Sequence, residues 1–309
     1  MKKTAELGLA AALAAECAVF AAFAPHFAST DNLLNVSLQA SITAIIAAGM
    51  TFVILTAGID LSVGSVVALA GIVATATLKA GCPPVLALPA AVAAALAFGA
   101  LSGGIAGVLV ARFAVAPFIV TLALMTVWRG VAFVATEGRP VWDLPESFGT
   151  LGGARLLGVP LPTLVMAAVF VAAHVALVKT RFGRHVVAVG GNPEAARLAG
   201  IRTGRVVASV YVLCGTLAAG SGVLLASRMN SGQPNAGLMY ELDVIAAVVV
   251  GGTSLSGGRG SIVGTFLGAM LIAVLRNGLN LLDVNSYVQQ VVVGVVILLA
   301  VLLDPVRRK

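Results

Sequence analysis

A chain of 309 residues that is 60% hydrophobic and only 10% charged excludes a soluble domain, in which about a quarter of residues carry charge. Lipid must be the solvent for most of this surface, and the formal charge of +7 then marks topology, since cytoplasmic loops collect Lys and Arg; it does not mark a nucleic-acid partner. Three scattered cysteines (Cys17, Cys82, Cys214) have neither disulfide nor metal spacing and read as packing thiols.

A spanning helix needs about 20 apolar residues, and that window places the elements in chain order. Lys2 and Lys3 precede a first span near residues 6–25, read as a retained helix and not a cleaved signal. The polar stretch "HFASTDNLLNVSLQA" suits an outer loop with a short interfacial helix. Spans two and three cover about 39–58 and 62–79, and span four about 84–111. Span five covers about 117–136, and a polar loop, Glu137–Pro160, precedes span six at about 161–178. The largest polar segment, Lys179–Arg205, leads into span seven at about 206–227. Span eight, at about 241–255, is short and is broken by "GGTSLSGGRG"; spans nine and ten cover about 261–281 and 287–303. The class is an all-α polytopic membrane protein. It has about ten transmembrane helices, eight to ten depending on how broken or short helices are counted, in a single transmembrane domain over 1–309.

Lys179–Arg205 holds Lys179, Arg181, Arg184, Arg197, Arg202 and Arg205 against Glu194 alone, whereas Glu137–Pro160 holds Arg139 and Arg155 against three acids. The first is therefore expected inside and the second outside, which puts both termini in the cytoplasm. "TAGIDLSVGSVVALAGIV" and "VGGTSLSGGRGSIVGTFLGAML" share an apolar helix, Gly, Leu-Ser, and a small-residue helix, the pattern of an internal repeat with interrupted helices. Small residues at every third or fourth position in "AFGALSGGIAG" suit close helix contact in lipid.

Catalytic equipment is missing from the reading. None of the five lysines follows a phosphate-binding glycine loop. His26, His174 and His185 lie far apart, and no nucleophile elbow occurs. The spans read as nearly free of ionisable groups, with Arg129 and His174 near span ends and Asp60 at a break. Energy is therefore expected from another chain.

Two segments carry the functional expectations. In "GGNPEAARLAGI", Asn192 is an N-cap, Pro193 suits the first helical position and Glu194 suits the positive helix end. Ala195, Ala196, Arg197, Leu198 and Ala199 favour helix, and Gly200 ends it. A two-turn cytoplasmic helix with a small apolar face (Ala195, Leu198, Ala199) suits a groove on a partner. In "AGIDLSVGS", Asp60 precedes a new helix. It reads first as a cap of the break, then as a group on a solute path, and last as a proton relay. Neutral hydrogen-bonding groups suited to an uncharged solute path are Ser62, Ser65, Thr253, Ser254, Ser256, Asn277 and Asn280.

"AGIDLSVGSVVALAG", "GGNPEAARLAGI", "GLMYELDVIAAVVVGGTSLSGGRGSIVGTFLGA" and "RNGLNLLDVNSYVQQVVVGVVILLAVLLD", in this order from about residue 30 to 304, resemble the permease subunits of ribose-type ABC importers. "GLMYELD" departs mildly from the family's usual Gly-x-Gly-Tyr. The resemblance implies the ABC importer permease fold and a monosaccharide cargo (ribose, xylose or galactose-like). It also implies a second permease copy, a cytoplasmic ATPase with two fused nucleotide-binding halves, and a periplasmic or lipid-anchored sugar-binding protein. ATP–Mg would be bound by the ATPase, with no cofactor on this chain, in a bacterial inner membrane. Asn192–Gly200 matches the family's coupling region. Rival readings are a nucleoside or branched-chain amino acid cargo in the same importer class, or a proton-coupled carrier using Asp60.

Overall fold

A computed structural model describes residues 2–81 and 83–302; Met1, Cys82 and residues 303–309, with the basic cluster Arg307, Arg308 and Lys309, lie outside the described residues. The described residues form thirteen helices. Seven are long and apolar enough to span a membrane: α1 (Lys2–Phe23), α2 (Thr30–Leu55), α4 (Pro84–Phe113), α5 (Pro117–Thr136), α7 (Leu161–Lys179), α10 (Thr203–Arg228) and α12 (Ile262–Leu281). The helices α3 (Val63–Lys79) and α13 (Ser286–Leu302) are shorter, and α11 (Tyr240–Val250) has only 11 residues. The connections carry α6 (Glu146–Gly153), α8 (Arg181–Gly191), α9 (Pro193–Leu198) and a two-residue antiparallel pair, β1 (Arg155–Leu156) with β2 (Val159–Pro160).

Helix α2, helix α8 and the short elements α6, β1 and β2 within the loop Glu137–Pro160 differ from the sequence reading. Helix α2 starts at Thr30, so residues 30–40 of the stretch read as an outer loop with a short interfacial helix are its first turns. Ser29 Oγ accepts the Asn32 N–H at 3.2 Å and Asp31 lies in the first turn, which are the features of a capped start. Hydropathy reports solvent preference and not helicity, so a polar first turn escaped it. Helix α8 was also not expected. Thr180 Oγ1 accepts from the Gly183 N–H, and Gly183, Val186 and Val189 form its buried stripe.

Helix α2 is the axis of the bundle: 83% of its spanning window is buried, against 6% for α1. Helices α4 and α10 meet along a seam of small residues with their backbones in close approach. A Cβ at Gly99 would overlap Gly215 O, one at Gly103 would overlap Tyr211 O, and one at Gly107 would lie 2.7 Å from Ala208 Cα. Apolar burial gives helices in lipid little reason to associate, so close backbone packing must hold them.

The units α2–break–α3 and α11–break–α12 both turn at the end of the bundle that carries α8. Thr51 Oγ1 and Thr265 Oγ1 are 2.8 Å apart, and the Asn32 and Asn277 side-chain amides each donate a hydrogen bond to the other, at 2.9 and 3.0 Å, so α2 and α12 run antiparallel. At the first break Ala57 is left-handed (φ 61°). Its N–H donates to Ile54 O at 2.9 Å and the Gly58 N–H to Val53 O at 3.1 Å, closing α2.

Candidate functional site

Between α7 and α10 the chain leaves the bundle as α8 and α9. Asn192 Oδ1 accepts the Ala195 N–H at 3.0 Å, and Pro193 occupies the first turn. The Gly200 N–H donates to Arg197 O and the Ile201 N–H to Ala196 O, with Gly200 at φ 82°, so both ends of this short helix are closed. Glu194 and Arg197 pair at 3.0 Å on the surface. Ala196 faces inward, while Ala195, Ala199 and Leu198 face out, Leu198 with 85% of its surface exposed.

Immediately before Asn192, α8 is wedged into both breaks. A Cβ at Gly190 would overlap Leu55 O and lie 2.7 Å from Gly258 N. The Gly258 N–H donates to Leu55 O at 2.9 Å. Three backbones therefore meet at one point: the end of α8, the end of α2 and the loop 251–261. That loop is compact, with the Ser254 N–H donating to Arg259 O and the Gly257 N–H to Ser254 O. Ser254 Oγ accepts from the Ser256 N–H at 3.3 Å, and Thr253 Oγ1 is buried without a partner among the described residues.

Asp60 is 1% exposed. Its Oδ1 accepts from Ser62 N–H at 2.9 Å and from Ser62 Oγ at 2.6 Å, and Ser65 Oγ donates to Ser62 O at 2.8 Å. Tyr211 OH and Thr121 Oγ1 both donate to Ile59 O at 3.3 Å. The carboxylate thus closes a local turn ahead of α3. Asparagine keeps the Oδ1 acceptor, so Asp60→Asn is expected to retain near-normal uptake. Asp60→Ala, which leaves the buried Ser62 N–H unpaired, should lose about 1–3 kcal/mol of stability, read by melting in detergent. A collapse of uptake in Asp60→Asn with unchanged melting would show that the charge itself is used.

The neutral groups expected on a sugar path do not converge. Ser62 lies in the first break and Ser65 in the first turn of α3, and Thr253, Ser254 and Ser256 lie in the second break. Asn277 is committed to Asn32 near the far end of the bundle, where Asn280 is exposed. The spans are also less free of charge than the sequence reading held. Asp243 on α11 and Arg276 on α12 pair at 2.5 Å, and Glu16 sits part-way along α1. The Asp243–Arg276 pair separates two cavities. One, of about 260 Å³, is lined by Gln39, Thr43, Arg228, Tyr240, Asp243 and Arg276 with small apolar residues. The other, of about 410 Å³, shares Tyr240, Asp243 and Arg276 and adds Leu238, Met239 and Gln290. The segment before α11 folds back along α3. Gly232 lies against Thr75 and Gly237 against Gly64 and Val67, and Arg129 Nη1 donates to Pro234 O at 2.8 Å and Ala236 O at 2.7 Å.

Residues 32–301 match the family described as branched-chain amino acid transport system / permease component. The chain is 50% identical over 291 residues to the ribose import permease protein RbsC of Escherichia coli K12, covering 93% of this chain and 89% of that protein. It is 48% identical over 282 residues to the RbsC of Bacillus subtilis 168 (91% and 86%). It is 38% identical over 293 residues to the L-arabinose transport system permease protein AraH of E. coli K12 (95% and 87%). No solved structure matches the chain.

Proposed function

Since the chain belongs to the branched-chain amino acid transport system / permease component family, as a ribose-type permease of ABC importers, we propose that it carries a pentose or similar monosaccharide through the bacterial inner membrane, driven by ATP hydrolysed on a separate subunit. The carrying observation is the 50% identity to a ribose import permease over 93% of the chain. The family's general title names branched-chain amino acids, but the relatives at 38–50% identity are named for ribose and arabinose, which favours sugar over the amino acid and nucleoside readings. Uptake by this chain alone, collapsed by an uncoupler, would restore the proton-coupled reading.

An ABC importer permease works with an ATPase and a substrate-binding protein. In our reading the ATPase has two fused halves and holds ATP–Mg, the binding protein is periplasmic or lipid-anchored, and two copies of this chain enclose the path. The basic end of the bundle, with α8 and α9, faces the cytoplasm together with both termini. Asn192–Gly200 is the segment that enters the ATPase. The uncovered Leu198 and the doubly capped helix support this, because a preformed helix loses little entropy on docking.

The test is uptake by the complex reconstituted with its ATPase and binding protein. The exposed Glu194–Arg197 pair contributes only about 0–1 kcal/mol to the fold, so Glu194→Ala, Arg197→Ala should leave the protein intact in the membrane. Sugar uptake is expected to fall about tenfold or more, the effect of losing one or two interface contacts, while ATP hydrolysis becomes uncoupled from it. Unchanged uptake in the double variant would sink the docking assignment.

A further inference from the structure

An ion pair inside a span is costly and by default belongs to a solute path. Asp243 and Arg276 are not needed to hold α11 to α12. Below them the two helices already meet through small residues, with Cβ atoms at Gly268 and Gly264 overlapping the backbone of Ala247 and Gly251. Instead of being packed on all sides, the pair stands between two cavities, and Arg276 Nε is buried with no partner among the described residues.

The groups around the smaller cavity suit one kind of ligand. Gln39 is exposed into it and makes no side-chain hydrogen bond among the described residues, and Thr43 and Tyr240 stand beside it. Arg276 and Arg228 offer only donors, Asp243 only acceptors, and Gln39 both. A sugar hydroxyl donates and accepts at once, so alternating donors and acceptors match a row of hydroxyls. Ala40, Ala247 and Ala269 supply an apolar wall for the C–H face of a ring. At about 260 Å³ the cavity lies just below the usual range of about 300–1,000 Å³ for small-molecule sites, which suits one monosaccharide. Arg276 adjoins Asn277, and Gln39 is seven residues along α2 from Asn32, so the cavity reaches from the Asn32–Asn277 end about 10 Å inward.

We propose that Asp243 and Arg276, with Gln39, Thr43 and Tyr240, form a monosaccharide-hydroxyl subsite inside the permease, so that selection is not left to the binding protein alone. This rests on the sugar-importer reading above.

The experiment uses the whole complex in liposomes, with labelled ribose or arabinose presented on saturated binding protein, and counts sugar carried and ATP hydrolysed. For Asp243→Asn, sugar carried per ATP is expected to fall about tenfold, the scale of one charged hydrogen bond, with stimulated hydrolysis kept within about twofold. Gln39→Ala should lower the same ratio about threefold, the scale of one neutral hydrogen bond. Should Asp243→Asn fail to assemble, Gln39→Ala decides alone, because the Gln39 side chain is exposed and makes no hydrogen bond among the described residues. Wild-type ratios in Gln39→Ala and in any assembled Asp243→Asn would overturn the subsite and leave the importer reading standing. A wild-type complex that carries neither sugar would overturn both.

Discussion

Replacing Gly190 by valine is expected to abolish uptake, while Gly191→Ala next to it is silent. A Cβ at Gly190 overlaps Leu55 O and crowds Gly258 N, whereas one at Gly191 meets nothing within 4 Å. Neither obstacle is a flexible side chain, so α8 must lift away or the two breaks must part. Parting them breaks the bond from Gly258 N–H to Leu55 O. Overpacking costs about 1–3 kcal/mol, and a buried unpaired carbonyl adds about 1–3 kcal/mol more. Since 1.4 kcal/mol is about a factor of ten, a loss of 100-fold or more in competent transporter is the scale to look for. Uptake, membrane level and binding-protein-stimulated ATP hydrolysis should be measured together. Normal uptake in Gly190→Val would show that α8 does not seat in the breaks during transport.

Gly103→Val is expected to have a comparable effect on stability and not on coupling. Its Cβ would overlap Tyr211 O and lie 2.7 Å from Tyr211 C and 2.9 Å from Val212 Cα, whereas Gly104 has only a Val212 methyl at 3.8 Å. The α4–α10 seam would have to open along its length. With little hydrophobic drive to close it again in lipid, a loss of about 1–3 kcal/mol follows. Melting in detergent should fall sharply for Gly103→Val and stay within error for Gly104→Ala. An unchanged melting profile for Gly103→Val would mean that the seam is looser than its backbone spacing.

The spans were legible because lipid demands runs of apolar residues, and most of their limits fall within a few residues of the helices found. The seam was legible too, since "AFGALSGGIAG" places small residues on one face. The caps of α9 were readable because capping is local: Asn192, Pro193 and Gly200 act within a turn of themselves. Helix α8 was not, because its buried stripe of Gly183, Val186 and Val189 is narrow and set among charges. The Asp243–Arg276 pair needs the register of α11 on α12, which no local pattern states. The neutral serines and asparagines were chosen for chemistry alone, and the fold distributes them among two breaks and a distant helix contact.

The bond from Gly258 N–H to Leu55 O also has a consequence for biogenesis. Leu55 ends α2, and the donor for its carbonyl arrives about 200 residues later in the chain. At the usual synthesis rates of about 5–20 residues per second, that is a wait of ~10–40 s. Hydrocarbon offers no hydrogen bond to an orphan carbonyl, so the nascent α2–break–α3 unit must keep its turn near water or another chaperoning surface during that time. The α11–break–α12 unit then acts as the closing piece of assembly. A chain stalled before residue 258 is an incomplete product, open at the junction that later meets α8.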